Sequence, residues 1–309
     1  MQSDIPTRPE LGGVVVGVDG SHGAREAVLW AAAEADRRGR PLTLVHAADT
    51  DRRALFSTAE TLQSVREAGH DLLVEAASAV RERFPDLAMT TELSRMEPLA
   101  GLRAAAAHRA TVVVGSRGLG GFSALLLGSV GLGVVARAEV PVVVVRGEAD
   151  RPGTGTVTAA VHGAADLDWL LLAAAEAEAR KASLRMLAVW NVLGHVGDVA
   201  TMLDDLDDVA RERVQELKDL ADQVQGVYPE LTVSPHVDTG TSVPGALVEA
   251  SAHADLLVMG SHRRKLPVGR PSLGRVAHSV LHHAHCPVEV VPPAFAEERQ
   301  RHARHAHTD

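Results

Sequence analysis

Two features of this sequence have the residue types and spacing to hold an anionic ligand. The first is a loop in which Gly115-Ser116-Arg117-Gly118 is followed, nine residues on, by Gly128-Ser129, giving the pattern G-x2-G-x9-G-S. Gly115 ends an apolar run, and Gly118 lets the backbone approach a ligand with no Cβ in the way. Gly128-Ser129 opens a helical pattern, offering free N–H groups, a hydroxyl and the positive end of a helix dipole. Arg117 adds one mobile positive charge. The second feature is Asp19, at the tip of the apolar run 14–18. Another role is open to Asp19, that of a helix N-cap in competition with Ser21. Phosphoryl transfer would need a metal-holding carboxylate and a group that positions the nucleophile. Residues 115–129 contain neither Asp nor Glu, and no Walker-type lysine follows, so binding without obvious catalysis is expected, slow hydrolysis staying open.

The elements that must position these residues alternate in type. Apolar runs at 14–18, Leu42–Ala47, 88–93, Thr111–Gly115 and 141–145 read as strands. Between them lie helical patterns over His22–Arg38, about 58–84, from Pro98, where proline suits a first turn, and after Gly128. Such alternation argues for βαβ units and a parallel sheet covered on both faces. In an open sheet of this kind, ligands sit outside the carboxyl ends of strands where the winding reverses. Asp19 and Gly115 both end strands at that rim.

The second half repeats the order. Strands are expected at 157–161, 184–189, 231–237, Leu256–Gly260 and 287–291, with helices near 167–181, 199–227 and 244–253. Gly115-Ser116 is echoed by Gly260-Ser261, and Val140-Pro141-Val142 by Cys286-Pro287-Val288, an offset of 145 rising to 146 residues. That period is a whole domain, too long for a solenoid repeat. The expected organisation is an extension at 1–11, a first domain at 12–147, a linker at 148–155, a second domain at 156–293 and a disordered, histidine-rich tail at 294–309. In the second copy Ala160 stands for Gly17, His162 for Asp19, Arg263 for Gly118 and Arg275 for Ser129. Pro267 and Pro271 enter a loop one residue longer. The favoured reading is a domain that kept its core and lost its ligand. The rival is a different anion site built on Arg263 and Arg275, with Arg264, Lys265 and Arg270 nearby, since arginine pairs well with phosphate.

Composition narrows the partners. The net charge is −9, aromatics are 3% and no long basic block appears, which argues against nucleic acid. No apolar run reaches the ~20 residues of a membrane helix. Cys286 is the only cysteine and the first residues carry no apolar leader, so a cytoplasmic protein is expected. His278 and His282 are spaced i, i+4, as in some zinc sites. Their place near a helix C-terminus has a simpler electrostatic reason, and no metal is expected.

The strand ending Gly17-Val18-Asp19-Gly20-Ser21, the strand ending Val45-His46-Ala47 and the G-x2-G-x9-G-S loop resemble the ATP-binding type of universal stress protein. The resemblance covers residues 12–146 and, more loosely, the second half. It implies an α/β fold of two tandem doubly wound five-stranded parallel sheets, each of order 3-2-1-4-5. It also implies ATP, with or without Mg2+, as the ligand. Carried over by position, Asp19 and Ala47 would lie by the adenine, with Gly17 behind it. Gly115, Arg117 and Gly118 would line the ribose and phosphates, and Gly128 with Ser129 would hold the phosphate tail. Tandem members are typical of actinobacteria, and three lysines against many arginines agrees with that.

This strand order leaves the fifth strand at an edge, where four valines would invite aggregation unless covered. Strand 142–145 is therefore expected to pair antiparallel with 288–291 about a pseudo-twofold axis within one chain. The long helices 58–84 and 199–227 are candidates for homodimer contacts. The function expected is a stress-response sensor or regulator with one competent site. A dimeric scaffold with incidental nucleotide binding is the alternative. An adenylating enzyme is weaker, because Asp19-Gly20-Ser21-His22-Gly23 is not its pyrophosphate loop.

Overall fold

A computed structural model describes residues 7–106, 110–116, 127–146, 152–190, 203–239, 242–261, 264–265, 271–293 and 295, with backbone alone for 203–210, 264–265 and 271–272. The first half runs β1 (Val14–Gly17), α1 (His22–Arg38), β2 (Leu42–Ala47), α2 (Thr50–Arg53), α3 (Ala59–Arg83), β3 (Met89–Ser94), α4 (Pro98–Ala105), β4 (Thr111–Gly115), α5 (Ser129–Arg137) and β5 (Val142–Val145). The second half runs β6 (Thr156–Val161), a 3-10 turn (Ala164–Asp166), α6 (Leu167–Ala179), β7 (Ser183–Val189), α7 (Leu203–Val227), β8 (Val233–Asp238) and α8 (Val243–Ser251). It continues with β9 (Leu256–Gly260), β10 (Arg264–Lys265), β11 (Pro271–Ser272), α9 (Arg275–His283) and β12 (Val288–Val291).

Each half is a parallel sheet of order 3-2-1-4-5, namely β3-β2-β1-β4-β5 and β8-β7-β6-β9-β12. The strands form because β-branched residues fill both faces of a doubly covered sheet. In β4, Val112 and Val114 face the core that includes Leu99, Leu102 and Val134, while Val113 faces the core that includes Ala27, Val28 and Ala31. Helix α1 starts where the Ser21 hydroxyl accepts the Ala24 N–H at 3.1 Å, and stops at Gly39 with φ 60°, a left-handed cap. Thr58 caps α3 in the same way, accepting the Thr61 N–H at 3.2 Å.

Several details differ from the sequence expectations. Helix α2 and the small antiparallel ribbon of β10 with β11 were not foreseen, because neither is long enough to show a period. Residues 199–202, at the expected start of α7, lie outside the described residues. Phe295, assigned by sequence to the tail, is buried in the second core. The extension also docks: Arg8 donates to the Val227 carbonyl at 3.0 Å, pairs with Glu178 at 2.9 Å and lies over the Tyr228 ring.

The two sheets meet edge to edge. β12 pairs antiparallel with β5, Val288 opposite Val144, Glu289 opposite Val143 and Val290 opposite Val142, so ten strands run continuously. Positions 143 and 289 correspond in the two halves, and their mutual pairing puts the local pseudo-twofold through them. Helices α1 and α6 meet over this join through a buried ring of charges. Arg38 donates to Glu34 at 2.7 Å and to Glu176 at 2.5 Å, while Arg180 reaches Glu34 at 2.6 Å and also pairs with Glu176. Burial opposes the charge on Glu34, but Arg180, Arg38 and Arg37 outweigh it and hold the carboxyl at about 2. Glu176 pairs with Arg38 and Arg180, yet burial, with Glu34 beside it, pushes its carboxyl up. On the opposite side of the join, Arg146 donates to the carbonyls of Ala284 and Leu281, closing the C-terminal end of α9.

Candidate nucleotide site

The carboxyl rim of β1, β2 and β4 gathers the described members of the expected site. β1 lies between β2 and β4, with Gly17 opposite Val45 and Val16 opposite Val113. Past its end, the Val18 N–H donates to the Val45 carbonyl at 2.8 Å, and His46 Nδ1 lies 2.8 Å from the Val18 carbonyl. These bonds hold the tip that carries Asp19. The half-buried Asp19 accepts the Ser21 N–H on Oδ1 at 2.9 Å, while Ser21 itself caps α1. The N-cap role open to Asp19 in the sequence therefore belongs to Ser21. Asp19 is an Asx-type brace for the turn and presents its carboxylate at the rim.

Gly115 has a different physical reason from the one its motif suggests. A Cβ there would stand 2.4 Å from the Gly23 carbonyl oxygen and 2.9 Å from the Ala24 nitrogen. The glycine lets the end of β4 touch the first turn of α1, and so fixes where that helix begins relative to the loop. Gly17 is less constrained, since among the described residues a Cβ would meet only Leu102, at 3.5 Å. On the far side of β2, the Cβ position of Gly101 in α4 lies 3.4 Å from the Ala47 Cβ, so α4 covers that strand end. The loop returns where the Gly128 N–H donates to the Ser116 carbonyl at 3.0 Å. Gly128 is then the extended N-cap of α5, with exposed Ser129 as the first helical residue and no side-chain cap. The loop's two ends are thereby clamped together beside β4. Arg117 and Gly118 lie outside the described residues.

The corresponding rim of the second half is filled by its own side chains. Asp166 accepts the N–H groups of His162 at 2.6 Å and Gly163 at 3.1 Å on one oxygen, and the Trp169 indole N–H at 3.0 Å on the other. Glu216 of α7 accepts the Ala164 N–H at 2.9 Å. Trp169 lies against Gly260, the counterpart of Gly115, whose Cβ position is 2.7 Å from the indole nitrogen. Three backbone donors that could meet an anion are thus taken by two carboxylates. Arg275 is exposed at the start of α9, where a positive charge opposes the helix dipole. Arg263 lies outside the described residues. Sequence reasoning missed Asp166, Trp169 and Glu216; a useful signal was the Asp four residues after His162, placed to fold back on the strand end.

His278 and His282 stack with ring centroids 4.4 Å apart, and no cluster of three or more metal-ligating residues occurs among the described residues. No helix among them is long and apolar enough to cross a membrane. Among the described residues an apolar cleft of about 160 Å3 lies between α1 and α3, lined by Val28, Leu72 and Ala76 and reaching Val18 and Gly20 at the tip of β1.

The fold and rim define a tandem, doubly wound α/β protein whose first-half strand order reverses between β1 and β4. The sequence profile described as the Universal stress protein family matches residues 12–146 and 155–292. The chain belongs to the universal stress protein family. It is 33% identical over 293 residues to universal stress protein Rv2005c of Mycobacterium tuberculosis, covering 90% of this chain and 96% of that protein. A second relative from that organism, universal stress protein Rv2624c, is 28% identical over 300 residues, covering 92% and 97%. The crystal structure of a universal stress protein from Archaeoglobus fulgidus superposes with a TM-score of 0.65 at 17% identity, over 94% of this chain and 99% of that one, a likeness of fold.

Proposed function

We propose that this protein binds one adenine nucleotide per chain, ATP with or without Mg2+, at the rim of its first domain, and acts as a stress-response sensor or regulator. The observation that carries this reading is the contrast between the two rims. In the first, the acid at the β1 tip accepts the Ser21 N–H, and the glycine loop returns to a helix start with no side-chain cap. In the second, Asp166, Trp169 and Glu216 occupy the equivalent space. Asp19 and Ala47 would sit by the base, with Gly17 behind it. Gly115, Arg117 and Gly118 would line the ribose and phosphates, and Gly128 and Ser129 the phosphate tail. Mg2+ would arrive on the phosphates. The loop carries no carboxylate to hold a metal or orient a nucleophile, which favours a binder with at most slow hydrolysis over a phosphotransferase.

The proposed units are residues 12–147 and 156–293, joined by 148–155 and working in the cytoplasm. Their fifth strands pair within one chain, and the chain forms a homodimer through other surfaces. Leu55 and Phe56, 73% and 87% exposed after α2, supply apolar area for such a contact. A ligand that binds only the folded state raises the melting temperature with its concentration. Melting with millimolar ATP should therefore rise for the wild type and stay unchanged for Asp19→Ala. An unchanged wild-type temperature would count against the reading.

A further inference from the structure

At the join of the two halves a carboxyl group is buried with nothing to bond. Glu289 is 0% exposed, and neither of its oxygens has a hydrogen-bond partner among the described residues. It stands opposite Val143, its own counterpart in the first half, on the local pseudo-twofold. The charged groups around it are Glu34 and Arg38 from α1 and Glu176 and Arg180 from α6. Their bonding is directed elsewhere. Arg38 donates to Glu34, Glu176 and the Thr111 hydroxyl, and Arg180 donates to Glu34 and Glu176. The ring closes on itself and gives Glu289 no hydrogen bond. Burial, with Glu176 adding to it, pushes the Glu289 carboxyl up to about 8, so the group is carried as the neutral acid at pH 7.

We propose that positions 143 and 289 form a slot for a single carboxyl. The slot fits β12 to a fifth strand that carries an apolar residue there, as β5 does, and rejects a second copy of β12. Directly opposed residues in an antiparallel pair have Cα atoms about 4.5–5.5 Å apart. Pairing β12 with another β12 in this register would bring two Glu289 side chains together in a dry layer, each beside a Glu176. Two carboxyls would then be desolvated in one layer where one is now, with no hydrogen-bond partner outside the pair. Self-pairing of β5 carries no such penalty, since it sets valine against valine. The acid therefore directs the join to the unlike halves of one chain and against chains linked through β12. This inference rests on the pairing of β5 with β12.

The test uses the full-length protein and three variants, Glu289→Val, Val143→Glu and the exchange Val143→Glu with Glu289→Val, melted at pH 6 and pH 9. Glu289→Val should melt about 2–4 °C above wild type and lose most of the fall between the two pH values. Val143→Glu should melt well below wild type, more so at pH 9. The exchange should restore melting to within about 2 °C of wild type, because an acid on the axis fits from either strand. An exchange variant as unstable as Val143→Glu would overturn the slot while leaving the pairing in place. Three variants that all melt like wild type would overturn the pairing itself, and the slot with it. If Val143→Glu does not fold, the exchange and Glu289→Val still decide.

Discussion

Gly115 and Gly23 touch backbone to backbone, so that a Cβ on Gly115 would stand 2.4 Å from the Gly23 carbonyl oxygen. The start of α1 and the start of the glycine loop are therefore one mechanical unit. Gly115→Ala is expected to lower stability by about 1–3 kcal/mol through overpacking against backbone that cannot step aside. It should weaken nucleotide binding as well, because the Asp19 tip and the loop would move apart. Chemical denaturation and an ATP titration on the same sample check both.

Asp19→Ala and Asp19→Asn separate the brace from the charge. Asparagine keeps an oxygen that accepts the Ser21 N–H, whereas alanine loses it. Alanine should cost about 1 kcal/mol of stability and abolish detectable ATP binding. Asparagine should keep the stability and weaken binding, as read by isothermal titration. Equal binding by all three proteins would remove Asp19 from the site.

The second rim gives the opposite pattern. Asp166→Ala strips acceptors from two backbone N–H groups and the buried Trp169 indole. A loss of about 3 kcal/mol or more is expected from the unsatisfied donors, with ATP affinity at the first site unchanged. Urea unfolding and ATP titration of Asp166→Ala supply the comparison.

The two buried acids near the join oppose each other in pH dependence. Glu34 is held at about 2, below its ordinary 4.5, so its contribution is present above 4.5 and is lost as pH falls through 2. Glu289 is raised to about 8, so its contribution is complete below 4.5 and is lost as pH rises through 8. Each group changes stability by up to about 1.4 kcal/mol per pH unit within its window. Glu34→Gln should be strongly destabilised at pH 7, because it leaves buried arginines short of a partner, and should show a shallower acid limb. Stability measured from pH 2 to 9 tests both signs.

Most of the architecture was legible because it rests on period and duplication. The valine runs, the Ser21 cap and the strand-terminal Gly115 each obey a local rule. The order 3-2-1-4-5 came from resemblance and not from spacing, since hydrophobic pattern does not name a strand's neighbour. Short elements such as α2 and the β10–β11 ribbon carry too few residues for any pattern. The site was half legible. Asp19 and the loop stood out as types at a rim, but the reason for Gly115 lies in a contact across some ninety residues of chain. Trp169 and Glu216 read as ordinary helix residues, and Asp166 as the residue before a helix, until the fold brings them to one strand end. No sequence pattern singles out Glu289, and only its register against Val143 gives it meaning.

The central claim is one competent site per chain, in the first domain. Its most direct measurement is the stoichiometry of ATP binding to nucleotide-free protein by isothermal titration, with Asp19→Ala as the control. One ATP per chain for the wild type and none for Asp19→Ala is the expected result. Two per chain, or one per chain that survives Asp19→Ala, would contradict it.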